Sequence, residues 1–178
     1  MSDKLPDVLS PGLDVVFVGT AAGTRSADEG IYYAHPGNKF WRTAIAIGLL
    51  PKGFAPADFR RAVEHGIGFT DMCKTRSGSD VEIGSDGFDR ARFERSIRRV
   101  TPRAVAFTSK KAASAWLRVP TSKLRYGEQD AVDGFPAVFV LPSPSGAAAG
   151  HWDEAPWRAL AAWVKRRPPR PRTARSPG

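Results

Sequence analysis

Asp14-Val-Val-Phe-Val18 runs straight into Gly19. The stretch is apolar and mostly β-branched after its first residue, and it is too short for a helix. It reads as a buried strand followed by a tight loop. Ala104-Val-Ala-Phe107 and Ala137-Val-Phe-Val-Leu141 have the same character, and the second ends in Pro142-Ser143-Pro144-Ser145-Gly146. Working outward, Asn38 to Gly48 places Phe40, Trp41, Ala44, Ile45 and Ile47 at helical spacing and closes on a glycine. Ala57 to His65 predicts a helix stopped by Gly66, and Ile67 to Met72 a short strand. Phe88 to Val100 predicts a charged helix with Phe93 and Ile97 on one face, and Lys110 to Leu117 another. A final helix is expected from about Glu154 to Arg166, with Pro156 in its first turn. Thr20 to Gly30 and Ser77 to Gly87 read as loops.

Apolar strands alternating with helices predict an α/β fold: a three-layer αβα sandwich around a short, mostly parallel central sheet. Ligands in such folds bind at the carboxyl ends of the strands. The loops after Val18, Phe69 and Leu141 are therefore expected to converge on one crevice. The domain is expected over residues 11–166, with an N-terminal arm at 1–10 and a basic Pro/Arg tail at 167–178.

The chain's 178 residues are enough for one hydrophobic core, and its 42% hydrophobic and 25% charged residues fit a soluble globular domain. No apolar run approaches the length of a membrane span, and the first residues lack an apolar signal core. A cytoplasmic protein is expected. Cys73 is the only cysteine, which excludes an internal disulfide, a four-cysteine cluster and a cysteine-rich zinc site. The net charge of +9 is uneven: Lys165, Arg166, Arg167, Arg170, Arg172 and Arg175 crowd the C-terminus without an acid among them. Without those six, 21 basic residues face 18 acidic ones. A basic arm of this kind suits a polyanion such as DNA or RNA, and equally a solvated terminus without a partner.

Gly19-Thr-Ala-Ala-Gly23 lacks both the Gly-x-x-x-x-Gly-Lys-Ser/Thr phosphate cradle and the Gly-x-Gly-x-x-Gly dinucleotide turn. His35, His65 and His151 lie far apart, without metal-ligand spacing. No metal or organic cofactor is expected.

Four segments in order resemble the uracil-DNA glycosylase superfamily, and within it the mismatch-specific uracil-DNA and thymine-DNA glycosylases. Pro11-Gly-Leu-Asp-Val-Val-Phe-Val-Gly19 leads into Gly19-Thr-Ala-Ala-Gly23, where the family has Gly-Ile-Asn-Pro-Gly. Ala34-His-Pro-Gly-Asn-Lys-Phe-Trp41 is similar to the family's Ala-His-Pro-x-Asn-Arg-Phe-Trp. Gly66-Ile-Gly-Phe-Thr-Asp-Met72 resembles the thymine branch's Gly-Ile-Gly-Phe-Thr-Asn-Met, and Leu141-Pro-Ser-Pro-Ser-Gly146 the family's Leu-Pro-Asn-Pro-Ser-Gly.

The resemblance implies a glycosylase-like fold and a monomeric DNA-repair enzyme. Such an enzyme flips uracil or another deaminated base out of DNA and hydrolyses its N-glycosidic bond. It places Gly19, Thr20, Ala21, Tyr33 and Asp71 around the base, with Tyr33 stacking on it. Ser143, Ser145 and Gly146 fall in the loop that presses on the phosphates, where short donors are suited to the task. Asn38 is expected to cap the helix after it. His35 is a pocket-wall residue or a structural histidine.

Two departures matter. The family's water-positioning asparagine aligns with Ala21, whose methyl group cannot hold water. Asp71 is the residue expected to replace it, orienting water and favouring a cationic sugar, with His35 and Ser143 next in line. Asp28 and Glu29 are secondary carboxylates. The family's bulky wedge aligns with Ala147-Ala-Ala-Gly150, leaving His151 and Trp152 to fill the gap in the duplex. Two other readings stay open: an inactive damaged-DNA-binding protein of the same fold, and a small-molecule nucleoside hydrolase.

Overall fold

Successive side chains of the Val15 run enter two different cores. The computed structural model describes residues 2–80 and 82–166, so the tail at 167–178 lies outside it. Strand β1 (Val15–Ala22) sends Val15 and Phe17 into one hydrophobic layer and Val16 and Val18 into the other. Strands β3 (Ala104–Phe107) and β5 (Ala137–Val140) divide their residues in the same way. A strand covered on both faces has no polar side to show, which is why these runs lack alternation.

Five strands form one sheet in the order β2-β1-β3-β5-β4, where β2 is Ile67–Ser77 and β4 is Gly127–Glu128. The pairs β1–β2, β1–β3 and β3–β5 are parallel, and β4 alone runs antiparallel, along β5. On one face Phe17 packs edge-on against Phe40 of α2 (Phe40–Ala46) and stacks on Trp157 of α5 (Ala155–Lys165). On the other face Phe107 meets Phe93 of α3 (Arg90–Val100) and Trp116 of α4 (Lys110–Leu117). The architecture is the expected three-layer α/β sandwich. Among the described residues no helix is long and apolar enough to cross a membrane.

Several local expectations need correcting. The loop expected over Thr20–Gly30 is the end of β1 followed by a short helix, α1 (Thr24–Glu29). Strand β1 continues through its small residues because β2 is itself eleven residues long and offers a partner as far as Ser77. Helix α1 closes on Gly30 in the left-handed conformation, φ 68°, which glycine adopts without strain. Pro56–His65 is 3-10 rather than α-helical, broken at Asp58. Asn38 lies just outside α2, yet its Oδ1 accepts the Phe40 N–H at 2.9 Å, so it still serves the helix start.

The N-terminal arm is docked on the body. Leu5 is buried in the core and Val8 forms an antiparallel bridge to Phe69. The body also reaches into the basic terminus at its other end. Val164 packs in the core, the Lys165 ammonium donates to the Ile47 carbonyl at 3.0 Å, and Arg103 donates to the Arg166 carbonyl at 3.3 Å.

Candidate active site

A cleft of about 930 Å³ opens at the carboxyl ends of β1, β2, β3 and β5. Its floor is the end of β1, Gly19 to Ala22, where small side chains let a ligand approach the backbone. Gly19 pairs with Asp71 across the β1–β2 ladder. A Cβ built on Gly19 would lie 2.5 Å from Asp71 Oδ1, so glycine is what allows the carboxylate to stand there. The same point lies 3.9 Å from Thr108 Oγ1 at the end of β3.

Asp71 is only 4% exposed, and it lines the cleft. Burial raises its carboxyl from the usual 3.8 to about 6; Asp7 adds to the rise, while Lys74 and Arg92 oppose it. The group therefore titrates close to neutrality, the range suited to exchanging protons with a substrate or water.

Tyr33 forms the aromatic wall. Its ring stacks on Phe40 with centroids 4.2 Å apart, and its hydroxyl lies 3.4 Å from Thr108 Oγ1. The residue sits in the left-handed region at φ 53°, unusual for a tyrosine. The loop is held in that shape at two points: the Ala34 N–H donates to the buried Ser26 hydroxyl at 3.0 Å, and the Trp41 indole N–H donates to the Tyr32 carbonyl at 2.9 Å. Burial first, and the Asp71 charge next, push the Tyr33 and Tyr32 phenols above their ordinary pKa. Both remain neutral at physiological pH.

The opposite lip is the loop after β5. Ser143 Oγ accepts the Ser145 N–H at 3.3 Å, and Ser145 Oγ accepts the Ala147 N–H at 3.3 Å. Each serine thus uses its oxygen to shape the loop and keeps its hydroxyl proton to donate. Gly146 sits against Gly37, where an added Cβ would come 3.3 Å from the Gly37 carbonyl oxygen. The Lys39 N–H donates to the Pro144 carbonyl at 2.8 Å and ties the two loops together.

Gly19, Thr20, Ala21, Tyr33, His35, Asp71, Ser143 and Ser145 all line this one cleft, although they are up to 126 positions apart. Gly146 and His151 do not line it. His151 is exposed on a 3-10 turn, while Trp152 is half-buried, tilted on Trp157 with the Lys39 ammonium 5.6 Å from its ring. His35 is exposed at the rim, and its Nδ1 accepts the Gly37 N–H at 2.9 Å, the arrangement of a turn-forming histidine. Asp28 and Glu29 are also at the rim, Glu29 paired with Arg25 at 2.7 Å.

Thr108, Ser109 and Tyr32 line the cleft as well, and all three lie outside the four motif segments. For Thr108 a signal existed: it follows a buried parallel strand at the crevice end. Lys74, buried beside Asp71, carried no such signal inside the polar run Lys74-Thr-Arg-Ser77.

A solution NMR structure from Methanosarcina acetivorans, of a protein provisionally assigned as a uracil DNA glycosylase, superposes with a TM-score of 0.64. The match covers 90% of this chain and 96% of that one at 22% identity, a likeness of fold. The sequence match is as extensive: the model of the uracil DNA glycosylase superfamily fits residues 6–165, from the docked N-terminal segment to the end of α5, and the chain belongs to that family.

Proposed function

We propose that the chain is a monofunctional DNA glycosylase that takes uracil or another deaminated base into the cleft and hydrolyses its N-glycosidic bond, leaving an abasic site. The observation that carries this reading is the buried Asp71 carboxylate over Gly19, facing a cleft walled by Tyr33. The motifs around His35 and Asp71 favour the mismatch-specific and thymine-DNA branch.

In this reading the extruded base lies on the small residues Gly19 to Ala21 with the Tyr33 ring against it. The glycosidic bond breaks with its electron pair leaving on the base, and C1′ acquires oxocarbenium character. An ionised Asp71 stabilises that positive charge and orients a water toward C1′. As the water oxygen bonds to C1′, one of its protons passes to Asp71 and from there to solvent or the departing base. Ala21 supplies no polar atom, so the work assigned to it in relatives falls to Asp71. Ser143 and Ser145 donate to the flanking phosphates. DNA is the partner, without a metal or organic cofactor, and the protein acts as a cytoplasmic monomer.

The test is cleavage of oligonucleotides carrying uracil, mismatched thymine, hypoxanthine or xanthine, single- and double-stranded, followed by alkali to reveal abasic sites. Ala21 specifically favours a second reading, a damaged-DNA-binding protein without catalysis. Retention of lesion-bearing DNA with no alkali-sensitive site on any substrate would establish that reading and remove the first.

A further inference from the structure

Behind the cleft a second set of charges, Lys74 buried and Asp7 and Arg92 half-buried, lies between β2, α3 and the N-terminal segment. The Lys74 side chain is 3% exposed. An ammonium removed from water needs partners or it loses its proton. Its Nζ lies 3.0 Å from Asp7 Oδ1 and donates to the Tyr32 hydroxyl at 3.1 Å, whereas Asp71 Oδ2 is 3.9 Å away. The first two are hydrogen-bond distances and the third is not. Lys74 therefore aims donors at Asp7 and Tyr32, and Asp71 receives only its through-space charge.

Asp7 is held firmly in this role. Its Oδ1 accepts the Thr70 hydroxyl at 2.6 Å, and its Oδ2 lies 3.1 Å from Arg92 Nη1. The chain is pinned on both sides of it: the Lys4 N–H donates to the Lys74 carbonyl at 2.7 Å, and Val8 pairs with Phe69. Two cations thus turn toward a carboxylate that the N-terminal segment brings in.

We propose that Asp7 and Lys74 are positioning residues for Asp71: the N-terminal segment inserts Asp7 to draw the Lys74 ammonium away, leaving Asp71 Oδ1 in the cleft and free to meet water or substrate. The proposal rests on the reading of Asp71 given above. It differs from a plain folding role because the two residues push Asp71 in opposite directions. The charged and titratable groups that act on Asp71 are Lys74 from its own strand, Asp7 from the N-terminal segment, Arg92 from α3 and the neutral phenols of Tyr32 and Tyr33, with the Thr108 hydroxyl nearby above Gly19. Arg92 is already engaged, donating through Nη2 to the Asp71 backbone carbonyl.

The experiment compares the full chain with Asp7→Asn, Asp7→Glu and Lys74→Met. It follows the Asp71 side-chain carboxyl carbon by NMR against pH, alongside single-turnover cleavage of a uracil-containing oligonucleotide. In Asp7→Asn, Lys74 turns to Asp71, and the Asp71 titration and the acid limb of the rate both move about one pH unit lower. In Lys74→Met both move higher by a similar amount, and Asp7→Glu stays near wild type. A titration that does not move in Asp7→Asn, or that moves the same way in Asp7→Asn and Lys74→Met, overturns the proposal. Should Lys74→Met fail to fold, the pair Asp7→Asn and Asp7→Glu decides it alone. Opposed carboxyl shifts in a chain that cleaves nothing uphold the arrangement and sink the catalytic reading; cleavage with unmoved titrations does the reverse.

Discussion

Asp71 Oδ1 occupies the space that a side chain on Gly19 would fill, 2.5 Å from the ideal Cβ position. The carboxylate belongs to β2 and the glycine to β1, and the parallel register sets them opposite each other. Gly19→Ala must therefore displace a buried group that has little room to move. The variant is expected to fold, to lose about 1–3 kcal/mol of stability through overpacking, and to cleave uracil-DNA at least tenfold more slowly. Single-turnover rates and denaturant unfolding measure the two effects. An unchanged rate would show that the position of Asp71 is immaterial to the reaction.

Asp71→Asn keeps the shape and removes the charge. Loss of an electrostatic stabiliser of this kind costs roughly 10²–10³ in rate, and DNA binding should change little. For the wild type, the single-turnover rate should rise with pH through about 6 as Asp71 ionises. Full-speed cleavage by the asparagine variant moves the search to His35 and Ser143.

The same substitution has an opposite effect on stability. The folded protein holds the Asp71 proton up to about pH 6, while the unfolded chain releases it near 3.8. The carboxyl's favourable contribution to folding is thus fully present below about pH 4 and is lost as pH rises through 6. At pH 7.5, Asp71→Asn is expected to stabilise the protein by on the order of 2–3 kcal/mol, and the gain should vanish near pH 4. Denaturant melts at the two pH values test this, and a gain that persists at pH 4 contradicts it.

Tyr33→Ala removes the aromatic wall. Base stacking on an aromatic side chain is worth roughly 1–3 kcal/mol, so activity should fall about tenfold or more. Tyr33→Phe separates the ring from the hydroxyl that lies 3.4 Å from Thr108. It should keep most of the activity if stacking is the main contribution. Wild-type activity in the alanine variant would take Tyr33 out of the base site.

Deleting residues 167–178 removes Arg167, Arg170, Arg172 and Arg175 and spares Lys165 and Arg166, which the body holds. If all four arginines touch phosphates of duplex DNA, the logarithmic salt dependence of binding flattens by roughly 3–4, with base preference unchanged. Binding titrations from low to moderate salt measure the slope. An identical slope shows that the tail does not contribute.

Local sequence determined the layers. Val15 to Val18, Ala104 to Phe107 and Ala137 to Leu141 are short apolar runs that only a doubly covered sheet can bury, and the helical spacing between them supplies the cover. The same reading located the cleft, because parallel strands bring their carboxyl ends to one edge, and the motifs named Tyr33 and Asp71 there. Tertiary structure decided what the residues around them do. Lys74-Thr-Arg-Ser77 is polar and has no strand signal of its own; it extends β2 alongside the end of β1, with its buried ammonium satisfied by Asp7 and Tyr32. Asp7 looks like one acid in a short N-terminal arm, and its contacts with Thr70, Lys74 and Arg92 arise only when Leu5 and Val8 dock. Periodicity and propensity report on neighbours a few residues apart. Asp7 to Lys74, Gly19 to Asp71 and Tyr33 to Thr108 are contacts made across the fold, so their distances, and the burial that raises the Asp71 carboxyl, exist only once the chain has closed.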